Sequence, residues 1–340
     1  MSCFERKKHN KINWSLIVKV VVSAILLLAV IVAVYYNSKL DLIQYDNTQA
    51  TNLVQEEDRT ALNNLPDPTT APAETVQESD VTNVLLIGTN DWGKLSDSAC
   101  ANTLLILSVN TKLHTAKLVS MQYHVEVEDA HGQEKEISRI FLTDGAQGVL
   151  QAVQTHFDLP IDCYMRVNYT TFSKGIDVLG GVDIELTQRE AEALNGEIFT
   201  NATTRHEVKT GMNHLDGYDA LQYCRLQYID SDCRRNQRQR NVVQSAIDRA
   251  KAEDFFTLDE LTNTVLPLIQ TNMSKGEITE LLLEVPGFLT SKTKVQQLSL
   301  PAEDTYTEII REDGKIVISM DFEENADILH DYLYRAETAS

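Results

Sequence analysis

The chain has no C-x-x-C pair, no internal repeat and no excess of positive charge, and each lack removes a class of function. None of its five cysteines (Cys3, Cys100, Cys163, Cys224 and Cys233) has a histidine at zinc-site spacing, which argues against a structural zinc site. Lysine and arginine number 30 against 50 acidic residues, for a formal net charge of −20. Affinity for a phosphate backbone comes from displacing counterions with many cations, so this balance argues against general nucleic-acid binding. Wholesale disorder is excluded too, because 43% apolar and 24% charged residues are ordinary globular values. A Cys224–Cys233 disulfide is left open, since it depends on the redox compartment.

A long apolar run stands near the N-terminus. Between Leu16 and Tyr36 the only charge is Lys19, and Arg6, Lys7, Lys8 and Lys11 precede the run. About 20 apolar residues span a bilayer as a helix, and the basic flank holds the N-terminus in the cytoplasm. No small-residue cleavage motif follows Tyr36, so the segment reads as a retained signal anchor rather than a removed signal peptide. The expected organisation is a cytoplasmic tail (1–14), a single transmembrane helix (15–37), an extracytoplasmic stalk or linker (38–80) and a globular domain (81–338), placed outside the cell membrane. The stretch "PDPTTAP" in the third segment is extended linker chemistry.

Within the globular part, "TNVLLIGTND", "TLLILSVN" (103–110) and "TAKLVSMQYHVEVE" (115–128) read as strands. Helical spacing marks 144–157. A strand–helix–strand unit then ends in "VDIEL", with Gly180–Gly181 stopping its helix. Further helices open at "YDALQYCRLQ" and "QRQRNVVQSAIDRAKA", and "TKVQQLSLPA" and "KIVISMDF" are strand-like. Strands interleaved with helices predict an α/β layered domain of about 260 residues.

The densest positive charge lies in "RLQYIDSDCRRNQRQRNVV" (225–243), with five arginines. On a helix Arg235, Arg238 and Gln239 fall at i, i+3 and i+4 and share a face, while Val242 and Val243 dock it on the domain. Asp232 reads as the helix cap. Guanidinium forks near a helix N-terminus suit an anion, and Arg225 can point at the same place. A solvated basic face fits the same pattern.

Taken in order behind one apolar segment, "NVLLIGTND", "TLLILSVN", "DLPIDCYMRVNYTTFSKGIDVLGGVDIEL", "GMNHLDGYDALQYCRLQ" and "DSDCRRNQRQRNVVQSAI" resemble the LytR-CpsA-Psr (LCP) family of cell-wall proteins over about residues 82–335. The resemblance implies an α/β/α sandwich around a central mixed sheet, with an apolar cleft for the polyprenyl tail of a lipid-pyrophosphate-linked glycopolymer. It implies a phosphotransferase that attaches the polymer, a teichoic acid or capsule, to peptidoglycan with Mg²⁺ or Mn²⁺, on a thick-walled, Gram-positive cell. By the same resemblance Arg225, Arg235 and Gln239 bind pyrophosphate. Asp232 and Arg238 belong to the catalytic motif, where Arg238 acts directly or pairs with Asp232 to hold the loop. Asp177 and Asp183 define the fold.

Several positions depart from the family pattern. The second arginine of its R-x-R motif is Gln227 here. An arginine and aspartate expected before the second strand are Cys100 and Asn102, and those expected after the third are Tyr123 and His124. The expected metal ligands are thus Asn90 and Asn102, leaving Asp91 as the nearby carboxylate. His124 is either a base or a strand-surface histidine. Two functions follow: an active glycopolymer transferase, or a catalytically impaired protein that binds polyprenyl-phosphate lipid as an accessory or scaffold.

Overall fold

A computed structural model describes residue 35 and residues 37–46, 80–113, 115–161, 163–196, 207–226, 229–230, 232–290, 296–311 and 314–334. The chain divides into two units, Met1–Leu42 and Ile43–Ser340. The expected membrane helix, 15–37, lies outside the described residues except at 35 and 37. Among the described residues no helix is long and apolar enough to cross a membrane. Everything below concerns the second unit.

It contains strands β1 (Gln44–Tyr45), β2 (Val81–Thr89), β3 (Ala101–Asn110), β4 (Thr115–Met121), β5 (Glu126–Glu128) and β6 (Glu134–Glu136), then helix α1 (Ile137–Phe157). Strand β7 (Cys163–Asn168), helix α2 (Tyr169–Val178), strand β8 (Val182–Leu186) and helix α3 (Gln188–Gly196) follow. Next come β9 (Gly211–Leu215), α4 (Gly217–Arg225), α5 (Asp232–Ala252), α6 (Phe255–Val265), β10 (Gln270–Thr271) and α7 (Lys275–Thr290). The chain closes with β11 (Gln296–Leu300), β12 (Tyr306–Ile310), β13 (Ile316–Met320) and α8 (Phe322–Tyr334). Seven strands form one mixed sheet in the order β1-β10-β7-β2-β3-β4-β11. This is an α/β fold around a central mixed sheet.

Strand register assigns each side chain to a face. Leu85 lies opposite Ile106 and Ile87 opposite Leu104, so these four share one face. They are buried in a core with Ile137, Ile140, Val149 and Phe157 of α1 and with Leu329 and Leu333 of α8. Leu86 pairs with Leu105 on the other face. There the helices α2, α4 and α5 stand over the sheet and leave a cavity. A second core of Val182, Ile184, Leu215, Tyr223, Leu226 and Val242 joins those helices to the β8–β9 pair.

Three elements differ from the sequence reading. The apolar run 115–128 breaks after Met121, and Glu126–Glu128 pairs instead with β6. Helix α1 starts at Ile137, seven residues before the expected 144, because Ile137, Ile140 and Phe141 continue its buried face. It is broken at Gly145, where φ is 64°. Strand β1 arises from the 38–80 stretch and pairs in parallel with β10. Beside it, the Tyr164 hydroxyl donates to the Asp46 carboxylate at 2.5 Å.

Two glycine sites fix how the helices approach one another. Gly180 and Gly181 take φ of 72° and 95° and end α2, as their spacing predicts. Asp177 accepts the Gly217 N–H at 2.7 Å, and a Cβ on Gly217 would overlap the Ser173 carbonyl, so α2 and α4 meet backbone to backbone. Gly217→Ala is therefore expected to cost about 1–3 kcal/mol through overpacking, read as a lowered thermal midpoint. An unchanged midpoint would show that α4 can shift freely.

On the cavity face, helix α5 is pinned to the β4–β11 edge of the sheet by Arg240. Its guanidinium donates to the Ser120 hydroxyl on β4 and, at 3.1 Å, to the Gln297 side chain on β11. The arginine-rich helix thus lies across the sheet, with Val242 in the second core and Val243 on the cavity wall.

Candidate functional site

The cavity between sheet and helices has a volume of about 580 Å³, within the range of ligand sites. Its body is apolar: Leu86 and Leu105 from the sheet, Phe172 from α2, Leu221 from α4 and Val243 from α5. Its polar lining comes from Asn90, Asn102, Tyr169, Arg225, Arg235 and Gln239. The parallel pair β2–β7 brings two carboxyl ends together here, the usual ligand position in α/β sheets. Helix α2 also begins here, with Asn168 as its cap accepting the Thr171 N–H at 3.0 Å. Its N-terminal dipole favours negative charge at this end.

Both arginines lie against aromatic rings. The Arg225 guanidinium sits 5.0 Å from the Tyr169 ring centre and donates to the Gln222 side-chain oxygen at 3.2 Å. Arg235 is 4% exposed, and its guanidinium stacks 3.9 Å from the Tyr123 ring centre. Tyr123, which stands where the resemblance implies an arginine, thus serves as the platform for one. Burial pushes the Tyr169 phenol up; its bonds to Asn102 and Arg225 pull back only part of the way, so it remains a protonated donor.

Of the residues singled out from sequence, Arg225, Arg235 and Gln239 converge on the cavity, with Asn90 and Asn102 lining it too. Arg238 does not. It turns away from the cavity and is 2% exposed, with Nε on Glu190 at 2.7 Å, Nη1 on the Leu226 carbonyl at 2.7 Å and Nη2 on Asp230. Through these contacts Arg238 fixes the turn between α4 and α5; the expected pair with Asp232 lies outside what is described, since that side chain is not. Burial pushes the Glu190 carboxyl up, but the Thr187 N–H and Arg238 outweigh it and hold Glu190 below the usual carboxylate range. Asp232 opens α5, one turn before Arg235, and only its backbone is described; Gln227 lies outside the described residues.

Asp91 stands behind the lining. Its Oδ2 accepts from the Ser96 N–H at 2.9 Å and from the Asn168 amide at 3.3 Å, with Arg166 at 3.8 Å, while its buried Oδ1 has no hydrogen-bond partner among the described residues. Asn90 Oδ1 is committed to the Cys100 N–H at 2.9 Å. Among the described residues no three His, Cys, Asp or Glu side chains gather as a metal site. The described donors therefore do not form a protein-built Mg²⁺ or Mn²⁺ cage, which would rest on carboxylates.

The remaining candidates have other roles. His124 is held by Glu136 at 2.7 Å and does not line the cavity. Asp183 accepts from His214 at 2.8 Å, so both it and Asp177 hold the fold together. Cys224 is a free thiol in the cavity wall, not half of a disulfide, and burial pushes its pKa up to about 12. Trp92, Asn168, Tyr169 and Phe172 line the cavity as well, and the sequence reading does not single them out. "VNYTTF" carries the one available signal, an Asn at a helix start.

The model of the LytR_cpsA_psr family matches residues 39–330. This chain belongs to the LytR-CpsA-Psr family. Among LCP relatives, the polyisoprenyl-teichoic acid–peptidoglycan teichoic acid transferase TagU of Oceanobacillus iheyensis is 30% identical over 234 residues, covering 65% of this chain and 68% of its own. TagV of Bacillus subtilis, with the same transferase description, is 26% identical over 229 residues, covering 66% of this chain. The match spans 57% of TagV's length, somewhat over half. The LCP fold is also shared with solved structures. Bacillus subtilis TagT is 20% identical with a TM-score of 0.60, covering 86% of this chain and 99% of TagT. TagT bound to LIIa-WTA is 19% identical with a TM-score of 0.63, covering 86% of this chain and 97% of that one.

Proposed function

We propose that this protein transfers a phosphate-linked glycopolymer from a polyprenyl-pyrophosphate lipid to peptidoglycan. The observation that carries the reading is the single cavity in which an apolar body meets Arg225, Arg235 and Gln239. A polyprenyl chain fills the body and a pyrophosphate meets the guanidinium groups, each charge-assisted hydrogen bond worth about 1.5–3 kcal/mol. The transferase descriptions of TagU and TagV support the same reaction. In this proposal residues 15–37 are a single membrane anchor, the α/β/α domain lies outside the cell, and the lipid presents its headgroup from the membrane.

The reaction forms a bond from a peptidoglycan sugar hydroxyl to the polymer-side phosphorus. The bridging P–O bond breaks, the lipid phosphate leaves with the electron pair, and the hydroxyl proton passes to a base. Asp232, one turn before Arg235, is the carboxylate assigned to that proton. Arg225 and Arg235 take up the charge growing on the leaving phosphate. Arg238 acts as a positioning residue through Glu190 and Asp230. Asp91, behind the lining residues Asn90 and Trp92, is the carboxylate that would contact a Mg²⁺ or Mn²⁺ ion, and such an ion would supply charge neutralisation to the phosphates.

A second reading, binding without turnover in an accessory or scaffold role, is favoured by Asn90 and Asn102 standing at carboxylate positions. The deciding assay gives the full-length protein in detergent a sugar-bearing polyprenyl pyrophosphate and peptidoglycan, with Mg²⁺ or with chelator, and follows coupled product and lipid phosphate. Coupled product is the expected result. Tight binding with no product would establish the accessory reading, and no binding would overturn both.

A further inference from the structure

Trp92 is the least economical residue in the cavity wall. It lines the cavity yet is 52% exposed, so a large apolar ring is left in water beside the polar lining. Its backbone is nevertheless clamped on both sides. The Asp91 carbonyl accepts the Tyr169 N–H at 3.2 Å, the Gly93 carbonyl accepts the Asn168 amide at 3.1 Å, and the Gly93 N–H donates to the Thr170 hydroxyl at 2.7 Å. From below, the fully buried Arg166 grips the same loop through the Ser96 carbonyl at 2.6 Å. A surface tryptophan without a partner needs no such fixing.

The ring is held in orientation as well as position. Its centre lies 5.6 Å from that of Tyr169 with the planes at 67°, an edge-to-face contact. Tyr169 in turn lies under the Arg225 guanidinium. Aromatic surface and pyrophosphate grip are therefore neighbours, linked through one shared tyrosine. The ligand fragment adjoining a glycosyl pyrophosphate is a pyranose. Its axial C–H bonds form a weakly positive, apolar face that matches the negative face of an indole.

We propose that Trp92 is the stacking platform for the pyranose next to the pyrophosphate, and so a specificity-determining residue. This rests on the function proposed above. The sugar is either the first residue of the donor polymer or the accepting residue of peptidoglycan, and both present the same apolar face.

The test uses the full chain in detergent with Trp14→Phe, which leaves Trp92 as the only one of the chain's 2 tryptophans. Four probes are added separately: bare polyprenyl pyrophosphate, the same lipid carrying N-acetylglucosamine, a soluble peptidoglycan disaccharide, and sugar-free anionic phospholipid vesicles. The sugar-bearing lipid is expected to shift Trp92 emission where the bare lipid does not. A shift with the disaccharide alone assigns the platform to the acceptor sugar. In the same background Trp92→Ala should weaken the sugar-bearing ligand about 3- to 10-fold while bare lipid binds as before, and Trp92→Tyr should retain most of the affinity. Equal weakening of both lipids would reduce Trp92 to a structural residue. Equal shifts with both lipids, or a shift with vesicles alone, would overturn the platform while leaving the pyrophosphate site standing. Failure of the bare lipid to bind at all would remove that site, and the platform with it.

Discussion

Arg235→Ala is expected to lower turnover a hundredfold or more and to weaken polyprenyl-pyrophosphate binding at least about tenfold. The guanidinium is buried, stacked on Tyr123 and directed at a largely apolar cavity, so water does little to replace the lost charge. Helix α5 should survive the change, because Arg240 on β4 and β11 and Val242 in the second core hold it independently. Arg235→Lys is not expected to restore function, since an ammonium neither stacks flat on Tyr123 nor offers a planar fork. Titration with lipid pyrophosphate, alongside circular dichroism, checks both points. Normal binding by a folded Arg235→Ala protein would remove the cavity from the proposed reaction.

Arg238→Ala is expected to act on stability instead. It leaves Glu190 buried without its cation and the Leu226 carbonyl without its donor, a loss of about 3–5 kcal/mol. For a domain of this size that lowers the thermal midpoint by roughly 6–20 °C. The pH dependence follows from Glu190, whose folded pKa lies below its ordinary 4.5. Its contribution is complete above that ordinary value and is lost as pH falls through the lower folded one. Arg238→Ala should therefore flatten the acid side of the stability profile as well as lower it, and Glu190→Gln with Arg238→Met should recover part of the loss. A midpoint within 2–3 °C of the parent would show the pair to be weak, as surface ion pairs are.

Arg225, Arg235 and Gln239 were legible in the sequence because one helix register and a short preceding segment place them. Arg238 was not. At i+3 it shares the broad face of Arg235, but its rotation around the helix sends it to Glu190, 48 residues away, and no local pattern encodes that partner. Trp92 escaped for a similar reason, since its place depends on two loops 77 residues apart meeting through Gly93, Asn168 and Thr170. The strands at 81–89 and 101–110 were plain as apolar runs. Strand β1, at two residues, is too short for any periodicity to show.

Among the described residues, Arg166, Arg235, Arg238 and Arg240 are buried. With buried Lys117 they outnumber the buried acids Asp129, Glu136 and Glu190, so among the described residues the exposed charge is slightly more acidic than the formal −20 implies. A polyanionic polymer is repelled at a distance and attracted only once its headgroup reaches the pocket. Salt screens the outer repulsion over about 8 Å at physiological strength, whereas the enclosed guanidinium groups are screened far less. For the proposed reaction this makes an electrostatic filter, favouring anions delivered along the lipid over those diffusing in from solution.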